Sequence, residues 1–154
     1  MYEAPENIIS QKDKKILFVG IGNVLRSDDG VGVYISRRIK DHDNISSITV
    51  ETGIENYIGK INSINPDLLI LVDCAEISSS PGDCRLLKAG QIEDNTFNTH
   101  NISLQRLTEF FRMPVYLLAI QPEKVDFGEK LSYIVKIKAD DILKKINKKE
   151  VHHG

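Results

Sequence analysis

A chain of 154 residues, 41% of them hydrophobic, is long enough for one domain with a substantial core. Charged residues make up 27% and the net charge is −2, which speaks against nucleic acid or an anionic membrane as an obligate partner. No apolar run approaches the roughly 20 residues that span a bilayer, and the first residues lack a basic start followed by an apolar stretch. Cys74 and Cys84 form no metal-ligand cluster, so a reduced, cytoplasmic protein without membrane insertion is expected.

Residues 1–13 are polar and aperiodic and read as a loosely attached extension, followed by a single domain over 14–148 and a short tail over 149–154. Lys15 to Ile21 is a short run rich in branched residues, suited to a strand buried on both faces. Beyond a glycine turn, Val31, Ile35 and Ile39 recur at helical spacing, with Arg37, Arg38 and Lys40 toward the C-terminal end where cations suit the dipole. Gly32 lies inside this helix and costs about 1 kcal/mol relative to alanine, which close packing on the sheet would offset. Ile48 to Glu51 reads as a second strand. Glu55 to Ile64 is a weak helix with Ile58, Ile61 and Ile64 facing inward, stopped by Pro66.

Leu68 to Val72 is the most apolar strand and ends at Asp73. The Ser78 to Asp83 stretch is a loop with a Pro-Gly turn, and Arg85 to Lys88 a short edge strand. Ala89 to Thr99 is polar and irregular and delivers His100. Leu104, Leu107 and Phe111 mark a helical face, Pro114 stops it, and Val115 to Ile120 is a further buried strand. Leu131 to Lys148 carries the last helix, with Ile134, Ile137, Asp141 and Lys145 at mixed spacing and its lysines in solvent. Strands alternate with helices, which predicts a three-layer αβα domain with a mostly parallel sheet.

The turn Gly20-Ile21-Gly22-Asn23-Val24-Leu25-Arg26-Ser27-Asp28-Asp29-Gly30 is not a dinucleotide fingerprint, because Leu25 stands where the third glycine belongs. Its two acids would also repel a pyrophosphate from the helix N-terminus. They suit either helix capping or a cation. In a parallel sheet Asp29, after the first strand, and Asp73, ending the third, project from the carboxyl edge, where open α/β sheets bind ligands. His100, on a loop before a helix, can cover the same crevice. Two carboxylates and an imidazole suit a divalent transition metal. Taken singly, Asp28 and Asp29 read equally well as caps, Asp73 as a loop anchor and His100 as an ordinary loop residue. Cys74 neighbours Asp73 on the strand, so its side chain leaves the opposite face and packs in the core. A dyad of Asp28 with Asp29 is disfavoured, since sequence neighbours cannot readily share a proton face to face.

Five segments carry a resemblance: GIGNVLRSDDGVGV from Gly20; Thr52-Gly53-Ile54-Glu55-Asn56; Leu71-Val72-Asp73 with Pro81-Gly82; Thr99-His100-Asn101-Ile102-Ser103-Leu104; and Ala119-Ile120-Gln121-Pro122. In this order they resemble the hydrogenase maturation endopeptidases, most closely the type that processes the large subunit of hydrogenase 3. Ile54 departs from that type, which has Ala-Pro there. The resemblance implies a twisted five-stranded sheet with one antiparallel strand, for which Arg85 to Lys88 is the candidate. It implies a cytoplasmic, metal-dependent endopeptidase; the sequence leaves the oligomeric state open, with a monomer favoured. The enzyme would remove the C-terminal extension of a nickel-iron hydrogenase large-subunit precursor once nickel is inserted. The implied metal-contacting and catalytic positions are Asp29, Asp73 and His100, with nickel presented by the substrate or another divalent metal in its place. Asp28 is then left with capping. A non-enzymatic nickel-binding maturation scaffold of the same fold is the alternative.

Overall fold

The computed structural model describes residues 4–93, 96 and 103–148. Five strands form one sheet: β1 (Ile16–Ile21), β2 (Ile45–Glu51), β3 (Leu68–Cys74), β4 (Cys84–Lys88) and β5 (Val115–Ile120), in the order β2-β1-β3-β5-β4. All pairs are parallel except β4 with β5. The expected mostly parallel sheet with its exception at the Arg85 to Lys88 segment is what forms. The exception lies at an edge because the short 75–83 connection leaves no room for a crossover helix between β3 and β4.

Alternation along the buried strands divides the core in two. Phe18, Ile70, Val72, Cys74 and Leu118 point to one face and pack with α2 (Val31–Arg38), α5 (Tyr133–Ile146) and α1 (Pro5–Ile9). Leu17, Val19, Leu69, Leu71 and Leu117 point to the other, covered by α3 (Ile58–Ile64), α4 (Leu104–Leu107) and the chain around Ile77 and Ile92. Both faces are covered, so β1 and β3 are buried along their whole length. Among the described residues no helix is long and apolar enough to cross a membrane.

Four local expectations change. The N-terminal segment is not loosely attached: Pro5 starts α1 at the position where its missing N–H costs nothing, and Ile8 is buried in the core. A single helical turn is too short to show periodicity in the sequence. Strand β2 begins at Ile45 rather than Ile48, because Ile45 pairs with Ile16 at the start of β1 despite the intervening serines. On α3, Ile61 is fully buried but Ile64, in the last turn before Asn65 turns left-handed, is exposed. On α5 the buried stripe is Val135, Ala139, Ile142, Leu143 and Ile146, while Ile137 faces out. Leu104, Leu107 and Phe111 are buried as expected, though they lie on a single α-helical turn followed by a tighter turn at Thr108–Phe110.

Candidate functional site

Strand order fixes where a ligand can sit. From β1 the chain runs through α2 to β2 on one side, and from β3 it leads to β4 and β5 on the other. The carboxyl ends of β1 and β3 therefore flank the point where the winding reverses, the ligand position of an open α/β sheet. The Ser27–Gly30 turn follows β1, and Asp73 is the penultimate residue of β3. The sequence thus delivers both acids to one address.

Two glycines make the approach possible. A Cβ on Gly32 would stand 2.1 Å from the Val72 carbonyl oxygen and 2.4 Å from that of Ile21, so α2 can rest on β1 and β3 only without a side chain there. Gly22 adopts φ +145°, and a Cβ on it would meet the Asp29 carbonyl oxygen at 2.0 Å. The loop is folded back over its own beginning, with the Asn23 amide donating to Asp29 Oδ2 at 3.2 Å.

The neighbouring acids, both fully buried, have opposite surroundings. Asp28 is saturated. Its carboxylate accepts from the amides of Glu123 and Lys124 at 2.9 Å each, and from the amide and hydroxyl of Ser132 at 2.7 Å each. It does not cap its own helix. It sits at the N-terminus of α5, 104 residues away, and draws the 121–132 segment onto the turn. Further bonds continue the seam: Ser27 amide to Gly128 carbonyl at 2.7 Å, Gly128 amide to Leu25 carbonyl at 2.8 Å, and Ser27 hydroxyl to Asp126 carbonyl at 2.9 Å.

Asp29 is the reverse. Its Oδ1 is buried and accepts no hydrogen bond. Burial raises its pKa above the ordinary aspartate value, against a lowering by the Asn23 amide and by the charge of Arg26. A buried carboxylate oxygen is costly unless a hydrogen-bond donor or a cation meets it.

Asp73 is fully buried, and its Oδ1 accepts from the amide of Cys74 at 2.8 Å. Cys74 packs in the core, as expected. Burial holds its thiol far above the ordinary range, reinforced by the charges of Asp73, Asp29, Asp28 and Glu76. The thiol therefore stays protonated and is unsuited to nucleophilic attack. Among the described residues no three histidine, cysteine or acidic side chains gather into a metal site. The third expected member, His100, lies outside the described residues.

The sequence reading gave Gln121 no role. Its buried side chain accepts from the amides of Ile77 at 2.9 Å and Ser79 at 3.4 Å and donates to Glu76 Oε2 at 2.9 Å, tying the chain after β3 to the end of β5. The available signal was a polar residue immediately after a fully apolar strand.

The family model for "Hydrogenase maturation protease" matches residues 30–149. The chain belongs to this family. A Methanocaldococcus jannaschii protein with a provisional hydrogenase maturation protease name is 28% identical over 144 residues, 84% of this chain and 85% of that protein. The hydrogenase 3 maturation protease of Escherichia coli is 24% identical over 140 residues, 87% of this chain and 90% of that one. In fold, a NiFe hydrogenase maturation protease of Thermococcus kodakarensis superposes with a TM-score of 0.76 at 24% identity, covering 93% of this chain and 98% of that one. The five-stranded mixed sheet is thus the family's fold, and the acids of the Asp28–Asp29 turn and Asp73 belong to a maturation protease.

Proposed function

We propose that this chain is the endopeptidase that removes the C-terminal extension of a nickel-iron hydrogenase large-subunit precursor after nickel insertion. The observation that carries the reading is Asp29 Oδ1, a buried carboxylate oxygen without a partner, on the turn after β1 beside the end of β3. Asp29, Asp73 and His100 would hold a nickel ion that the substrate brings with it, two carboxylates and an imidazole being a donor set that nickel accepts. Held there, nickel would supply Lewis-acid polarisation of a nearby carbonyl. The chain's own part is positional. Asp29 meets a cation without first losing a hydrogen bond at Oδ1, Asp28 fixes the turn that aims it, and Gln121 steadies the chain leaving Asp73. A buried, unsatisfied carboxylate has more to gain from a cation than one already bonded to amides.

The test uses nickel-loaded and nickel-free precursor in parallel. A shortened large subunit should appear with the loaded form alone, and His100→Ala should suppress it, because a ligand imidazole is replaced by a methyl group. Shortening of both forms alike, or undiminished cleavage by His100→Ala, would remove nickel and His100 from the reading. Binding of loaded precursor without cleavage would leave a scaffold rather than a protease.

A further inference from the structure

The 121–132 segment does more than brace the turn. Two adjoining cavities, one of about 500 Å3 along the segment and one of about 190 Å3 between it and α2, share Ser27, Glu129 and Leu131 in their walls and so form one groove. Lys124 and Lys130 line one half, Arg37 and Arg38 the other, and Glu129 is the single carboxylate among the lining residues. Arg37 is paired with Glu51 at 3.2 Å, so a chain of net charge −2 concentrates a net charge of +2 at this groove. Phe127 stands at its margin, 88% exposed. The backbone beneath the ring is held on both sides, by the Gly128 amide to Leu25 and by the Ser27 hydroxyl to Asp126. An aromatic ring kept in water on a backbone so fixed is a preorganised anchor.

We infer that this groove docks an acidic segment of the precursor protein, with an apolar residue of that segment against Phe127. The inference rests on the reading as a maturation protease. Charge complementarity selects the occupant: Lys124, Lys130 and Arg38 outnumber Glu129 and attract an acidic peptide, while the negative molecule as a whole disfavours a long polyanion such as nucleic acid. Ser27, in the groove wall, is two residues from Asp29, at most about 7 Å along the chain. A segment docked there is tethered beside the candidate site and raises the local concentration of the cleaved end. The groove therefore acts on KM and not on kcat.

The experiment compares wild type, Lys124→Glu/Lys130→Glu, and a control of equal charge change, Lys12→Glu/Lys14→Glu, at the opposite end of β1. Cleavage of nickel-loaded precursor and its direct binding are measured at low and high salt. The groove variant should raise KM and Kd at least about tenfold with kcat within about twofold, and its deficit should shrink as salt screens the wild type. The control should match wild type. Polyglutamate should inhibit wild-type cleavage more than inorganic phosphate does at equal ionic strength. Should the double variant fail to fold, Phe127→Ser at an exposed position carries the same expectation for KM. Unchanged KM and Kd in the groove variants, or phosphate inhibiting as well as polyglutamate, overturns the proposal. If wild type cleaves nothing, the protease reading fails by itself, and precursor binding still decides: loss in the groove variant alone supports docking, and equal binding by all three overturns it.

Discussion

Asp28 and Asp29 differ by no atom and by one position, and their surroundings predict opposite stability effects. Burial raises the pKa of Asp29 above 3.8. Between that value and the raised one, the folded chain keeps a proton that the unfolded chain has released, so stability falls as pH climbs through the window. Above it, the ionised carboxylate remains a standing liability. Asp29→Asn should therefore melt at or above the wild-type temperature at pH 7, an advantage that fades as pH falls below the window, while precursor cleavage is lost. Thermal unfolding against pH, with a cleavage assay, checks both halves. A variant that melts well below wild type at pH 7 would mean that the charge is stabilised by something other than solvent or cation. Asp28→Asn should behave in the opposite sense. Even with its oxygen kept toward the amides of Glu123 and Lys124 and the Ser132 hydroxyl, it turns an amide NH2 toward another donor, the Ser132 amide, and removes the charge from all four bonds. The loss should be about 1.5–3 kcal/mol or more, the size of a charged hydrogen bond, measurable by urea unfolding. This exceeds what the capping assignment implies, because the partner is a distant segment and not the local helix.

At the scale of elements, the contact of α2 with the sheet decides whether the turn can reach β3. Gly32→Ala forces a methyl group into the carbonyl oxygens of Val72 and Ile21, and main chain cannot yield as a side chain can. It should cost about 3 kcal/mol or more, with cleavage lost before the fold is. Gly59, in α3, is the internal comparison: nothing lies within 4 Å of a Cβ there. Gly59→Ala should stabilise by about 0.5–1 kcal/mol, since alanine has less backbone freedom to lose in a helix. Chemical denaturation of the pair reads both signs in one experiment. Equal effects would show that α2 can shift away from β1 and β3.

For the whole molecule, the N-terminal segment is part of the core and not an appendage. Ile8 packs with Ile16, Ile39, Ile45 and Ile146 in one buried cluster. The Asn44 side-chain amide donates to the carbonyls of Gln11 at 3.0 Å and Lys14 at 2.6 Å, fastening the link between α1 and β1. Ile8→Ala should cost about 2–5 kcal/mol by equilibrium unfolding, the range for a buried isoleucine. The Lys145–Glu6 pair at 2.6 Å is exposed on both sides and should contribute little by comparison. A near-zero effect of Ile8→Ala would mean that the helix detaches in solution.

The strands, their parallel pairing and the burial of Cys74 were legible in the chain because apolar runs with branched residues have few other uses. The position of Asp29 and Asp73 at the carboxyl edge was legible as well, since a βα unit places whatever follows its strand there. What sequence could not decide was which of two adjacent aspartates is satisfied. That depends on Ser132 and the amides of Glu123 and Lys124, about a hundred residues away, which only the folded chain carries to Asp28. The same distance concealed the docking of Ile8, the work of Gln121 and the assembly of a positive groove from α2 and the 121–132 segment. Local periodicity reports which face of an element is buried. Only tertiary contact reports what meets a polar group there, because a hydrogen bond needs its partner within about 3 Å, however far away that partner lies in the sequence.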